Sequence, residues 1–72
     1  MARRRERDWR RWGAKLKRLR NERDWTQQEL AEKVGVVRNS INKCEMGDRR
    51  PSLDLLERLA RAFHTTLDDL LR

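Results

Sequence analysis

Of the 72 residues, 36% are hydrophobic and 43% are charged, and the formal net charge is +7 with a sequence pI near 11.0. A chain this short makes one domain with a thin core. No apolar run approaches the roughly 20 residues that cross a bilayer, and no apolar segment follows the basic start to make a secretory signal. The single cysteine and single histidine exclude a disulfide framework, a clustered zinc site and most histidine-based catalysis. No metal, cofactor or small-molecule ligand is expected, and the composition fits a reducing, cytoplasmic compartment.

The charge is uneven. Residues 1–23 hold eleven basic and three acidic side chains, a net of +8, whereas residues 24–72 hold eight basic and nine acidic, a net of −1. A one-sided basic surface points to a polyanionic partner, and a solvated basic tail is the competing reading. No strand alternation, repeat or low-complexity tract occurs beyond the arginine-rich start.

The apolar spacing is helical throughout. Trp9, Trp12, Leu16 and Leu19 follow one another at steps of three, four and three and share a face. This first helix starts either near Gly13, leaving residues 1–12 as a basic arm, or further back at about Arg7. Thr26 is an N-cap with Glu29 at the capping-box position, and Trp25 and Leu30 hold the two positions of a hydrophobic staple. A second helix is therefore expected over Gln27 to Val34, ended by Gly35 at a position that takes φ > 0. A third runs from about Arg38 to Met46 with Ile41 and Cys44 inward, until Gly47 stops it. After the loop Asp48-Arg49-Arg50-Pro51, Ser52 caps a fourth helix over Leu53 to Phe63, with Leu53, Leu56, Leu59, Ala60 and Phe63 inward. Thr66 caps a short fifth helix over Leu67 to Leu71. His64 lies at the end of the fourth helix, where Gly or Asn adopts the left-handed conformation more easily.

Two short helices joined by a three-residue turn with a glycine are a helix-turn-helix arrangement. Ala31, the fifth residue of the second helix, lets the third cross closely. Along Gly13 to Leu71, the chain resembles the Cro/C1-type (XRE-like) helix-turn-helix domain of phage repressors and bacterial regulators. The resemblance rests on Leu16, Leu19 and Arg20, on Thr26-Gln27-Gln28-Glu29-Leu30-Ala31, and on Gly35-Val36 and Ile41. Glu45-Met46-Gly47, Pro51-Ser52-Leu53 and Leu67-Asp68-Asp69-Leu70-Leu71 complete it.

The resemblance implies an all-α, five-helix domain whose third helix enters the major groove of double-stranded DNA. It places base readers at Val37, Arg38, Asn39 and Lys43, and Asn42 lies on the same polar face. Arg and Lys donate to guanine O6 and N7, Asn pairs with adenine N6 and N7, and Val37 suits a thymine methyl. Val37 departs from the family's usual Ser or Thr and cannot cap the third helix. Gln27, with Thr26 and the N–H groups around it, is expected at a phosphate. Lys15, Arg49 and Arg50 are further phosphate candidates, as are Arg3, Arg4 and Arg5 of the arm, which lies on the backbone or in a minor groove or else is a solvated tail. The resemblance pairs Arg20 with Glu45 in a partly buried structural salt bridge. Cys44 reads as a small buried hydrophobe.

The expected function is a repressor-like transcriptional regulator, a homodimer on a palindromic operator, and the resemblance implies a dimer surface on the fourth and fifth helices and the loop between them. With no further domain after Arg72, self-association without DNA is expected to be weak. The alternative is a protein-interaction module of the same fold, an antitoxin or bridging factor. No catalytic triad, paired-carboxylate cleft or glycine-rich phosphate loop is present, so an enzyme is not expected.

Overall fold

A computed structural model describes residues 8–72. Five helices follow in order, α1 (Trp9–Glu22), α2 (Gln27–Val34), α3 (Arg38–Met46), α4 (Leu53–Ala62) and α5 (Leu67–Leu71), with no strand among the described residues. Three of the five helices match the expected bounds, α4 ends one residue early, and α1 takes the longer of its two expected starts.

The start of α1 has a local cause. Asp8 is extended, and its Oδ1 accepts from the backbone N–H of Arg10 at 3.2 Å and of Arg11 at 3.3 Å, so two of the orphan donors of a helix N-terminus are satisfied. Trp9 to Trp12 therefore belong to the helix. Trp9 meets Trp12 edge-on, with centroids 5.5 Å apart at 82°, the arrangement that puts a ring edge on a neighbouring π face. Trp12 is buried, and its indole N–H donates to Leu70 O at 2.9 Å, which fastens α5 to α1.

The core is one cluster in which Leu16, Leu30, Ala31, Ile41, Cys44 and Leu59 are fully buried. α1 packs chiefly on α3, and α2 packs on α3 and α4. Gly13 permits the first contact, because a Cβ there would collide with the carbonyl oxygens of Cys44 and Glu45. One expectation for α4 fails: Leu53 is 61% exposed, whereas Leu55 is buried. Leu53 is the first residue of α4, so although it stands on the edge of the apolar stripe beside the buried Ala60, it lies at the helix end and is left uncovered.

The starts of α2, α4 and α5 follow their sequence signals. Thr26 and Glu29 form the reciprocal capping box, Thr26 Oγ1 accepting from Glu29 N at 3.0 Å and Glu29 Oε1 from Thr26 N at 2.8 Å. Ser52 and Thr66 cap α4 and α5 without the reciprocal bond, each hydroxyl accepting from a backbone N–H three residues on. His64 adopts φ 55, the left-handed value expected at that helix end. No helix among the described residues is long and apolar enough to cross a membrane.

Candidate nucleic-acid interface

The turn between α2 and α3 sets the site. Gly35 has φ 75 and ψ 33, the left-handed conformation that costs a residue with a Cβ about 1–2 kcal/mol. Val36 N donates back to Ala31 O at 3.0 Å, which closes the corner, and Arg58 Nη1 donates to Val34 O at 3.0 Å, which ties it to α4. Ala31 is fully buried at the crossing.

α3 is buried on one side through Ile41, Cys44 and Glu45. On the other side Arg38, Asn39 and Lys43 are exposed and Asn42 is half-buried. Val37 stands before the helix with φ −79 and ψ 153, makes no side-chain cap and is 68% exposed. The helix nonetheless begins at Arg38, because burial of its inner face fixes it without the missing cap. Burial pushes the Cys44 thiol above its ordinary value of 9.0; Arg49 opposes the shift and Glu45 adds to it.

Beneath this face lies the expected ion pair. Arg20 Nε donates to Glu45 Oε2 at 2.6 Å and Nη2 to Oε1 at 3.1 Å, both side chains being buried. Arg20 Nη1 also donates to Trp25 O at 2.7 Å. The buried guanidinium thus joins the end of α1, the approach to α2 and the inner face of α3, and the paired, hydrogen-bonded charges meet the condition for ionic groups away from water.

Gln27 has a connection that helix spacing does not reveal. Its Nε2 donates to Glu45 Oε1 at 3.0 Å and to Asn42 Oδ1 at 3.1 Å, and its Oε1 accepts from Arg38 Nη1 at 3.0 Å. Both carboxamide N–H groups are therefore engaged within the fold. The first-turn backbone N–H groups of α2 remain suited to an anion, as at any helix N-terminus. The only sequence signal for this junction is that Gln27, Asn42 and Glu45 are all polar while the two helices cross closely at Ala31.

The phosphate candidates separate. Lys15 Nζ donates to Asp69 O at 2.6 Å and Arg72 O at 3.2 Å. It holds the C-terminal end of α5, where a cation complements the exposed carbonyls. Arg49 and Arg50 are exposed in the loop after α3, with Arg49 Nη1 donating to Ser40 Oγ at 3.3 Å. Arg3, Arg4 and Arg5 lie outside the described residues. No cluster of metal-ligating side chains occurs among the described residues.

The profile of the helix-turn-helix family matches residues 16–70. The HTH-type transcriptional regulator AnsR of Bacillus subtilis (strain 168) is 40% identical over 57 residues, covering 79% of this chain and 49% of AnsR, so the chain spans about half the length of that relative. Among solved structures, the restriction-modification controller protein C.AhdI from Aeromonas hydrophila superposes with a TM-score of 0.83 at 30% identity over 88% of this chain and 96% of its own. SinR, the master regulator for biofilm formation, solved in complex with DNA, superposes with a TM-score of 0.78 at 29% identity over 85% of this chain and 98% of its own.

Proposed function

The chain belongs to the helix-turn-helix family, and from that premise we propose that it is a sequence-specific, double-stranded-DNA-binding transcriptional regulator that lays α3 in the major groove. The observation that carries this reading is the face of α3 on which Arg38, Asn39 and Lys43 stand exposed while Ile41 and Cys44 hold the opposite side in the core. A helix that docked in a protein groove would offer apolar anchors at those positions. This one offers donors of the kind that read base edges.

In this arrangement Arg38 and Lys43 donate to guanine edges, Asn39 reads an adjacent base, and Val37 touches a thymine methyl. The α2 N-terminus with Thr26 and the backbone N–H of Gln27 takes one phosphate, and Arg49 and Arg50 follow the strand beyond it. The arm with Arg3, Arg4 and Arg5 adds non-specific attraction. Two copies, paired through α4 and α5, place their α3 helices one turn of duplex apart, about 34 Å, on a palindromic operator. Such a dimer represses by occluding the DNA it covers, in the cytoplasm where that DNA lies. No enzymatic step belongs to this function.

Selection of bound duplexes from random sequence, followed by a salt titration on the winner, tests it. The expected result is a symmetric pair of half-sites, with affinity falling on a log–log slope of about −0.9 per neutralised phosphate. Failure to enrich any sequence would reject the proposal.

A further inference from the structure

α5 is five residues long, far below the roughly 12–15 at which an isolated helix is marginal in water, so its place is set by what holds it. Thr66 caps its start. Its other end is held by α1. The Trp12 indole N–H donates to Leu70 O at 2.9 Å in the core, and the Lys15 ammonium donates to Asp69 O at 2.6 Å and to Arg72 O at 3.2 Å. Three carbonyls at the C-terminal end of α5, the end where a helix runs out of partners for its C=O groups, thus meet two side chains one turn apart on α1. Gly13 stands between those two in sequence and faces α3 instead, where a Cβ would collide with the carbonyl oxygens of Cys44 and Glu45. α1 packs chiefly on α3, whereas α5 packs on α4. Residues 12–15 of α1 therefore hold the last part of α3 on one side and the end of α5 on the other.

Resting on the pairing of two copies through α4 and α5 given above, we propose that Trp12 and Lys15 are positioning residues for operator recognition. They fix α5, and with it the pairing surface, relative to α3, and so set the distance between the two reading helices of a dimer. Two rigidly joined α3 helices reach both half-sites at one spacing, about one turn of duplex. Moving a half-site by one base pair shifts it by about 3.4 Å and turns it by roughly 35° about the duplex axis. A dimer whose α5 slides against α1 tolerates that step, and a dimer whose α5 is clasped does not. Lys15 contributes a cation at the negative end of the helix. Trp12 contributes a bond away from water, whose loss leaves Leu70 O buried without that donor. In this role both side chains act through α5 and neither touches DNA.

The test uses the full chain with the duplex selected for the wild type, duplexes whose half-sites are moved by one and two base pairs, a single half-site and random duplex. Lys15→Met keeps the length of the side chain and removes its charge and donors. Trp12→Phe keeps a ring and removes the indole N–H, and Lys15→Arg retains a cation with donors as the rescue. The expected result for the first two variants is a loss of about three- to tenfold on the selected duplex. The gap between the selected and shifted duplexes should narrow by a similar factor, with affinity for the single half-site unchanged and Lys15→Arg close to the wild type. Trp12→Phe also melts lower because it leaves space in the core, so the spacing preference decides, and Lys15→Met reports it at nearly the wild-type melting temperature. Equal losses for Lys15→Met on the selected duplex, the single half-site and random duplex would show a phosphate contact and overturn the role. A sharp spacing preference shared by the wild type and both variants would overturn it too, and would leave the dimer standing. If the wild type binds the single half-site as tightly as the pair, the dimer itself falls, and the role falls with it.

Discussion

At the scale of single residues, the outer face of α3 separates reading from folding. Arg38 and Lys43 are exposed and contribute little to the core. Replacing either with alanine should cost roughly 1–3 kcal/mol on the selected duplex and relax preference at one base pair, without an equal loss on random DNA. A competition assay over single-base variants of the site checks this. Cys44 gives a prediction of a different kind. Its thiol is pushed up from 9.0, chiefly by burial. A group whose folded value is raised adds stability that is fully present below the unfolded value and is lost as pH rises through the folded one. Thermal stability should therefore decline as pH climbs past 9.0. In Cys44→Ala, less stable at every pH because a filled core position is emptied, that part of the decline should vanish. Melting curves of both proteins across the alkaline range measure it.

Among the elements, α3 is the helix with an unfilled N-cap, since Val37 sits in cap geometry and offers no acceptor. Val37→Ser should stabilise the protein by about 1 kcal/mol, a rise in melting temperature of roughly 4–8 °C for a domain of this size. The same change should weaken any preference for thymine opposite that position. Calorimetry and the selected-site assay report the two effects separately. The missing cap is legible in the sequence, as is the start of α2, because capping is a local signal carried by residues a turn apart. The start of α1 carries such a signal too, in Asp8, but the arginines around it make arm and helix look alike. Leu53 is misplaced for a different reason. Helical spacing locates an apolar stripe, but only the packing of other elements decides how far along the helix it is covered. The engagement of Lys15 with the end of α5 and of Gln27 with Asn42 and Glu45 is also out of reach, since each joins residues at least 15 apart in sequence.

Across the whole molecule, charge and shape divide the work. The basic excess lies in residues 1–23, while the proposed groove-reading face lies on α3. The structure carries the first helix back to Trp9 and lays its N-terminal turn beside the end of α3, where a Cβ on Gly47 would meet Arg10. Removing residues 1–7 should weaken selected and random duplexes about equally and flatten the salt slope by about 0.9 for each phosphate that is no longer neutralised. Binding curves at several salt concentrations decide this, and unchanged affinity would take the arm out of the interface.

Heteronuclear NMR of the labelled protein, titrated with its selected duplex, asks most directly which surface meets DNA. The backbone signals of Gln27 and Gln28 and of Val37 to Lys43 should shift most, followed by Arg49 and Arg50. Side-chain signals of Arg38 and Lys43 should broaden or move with them, while the α1 surface around Lys17 and Arg18 stays still. Large shifts elsewhere, with α3 silent at saturation, would contradict the placement of that helix in the groove.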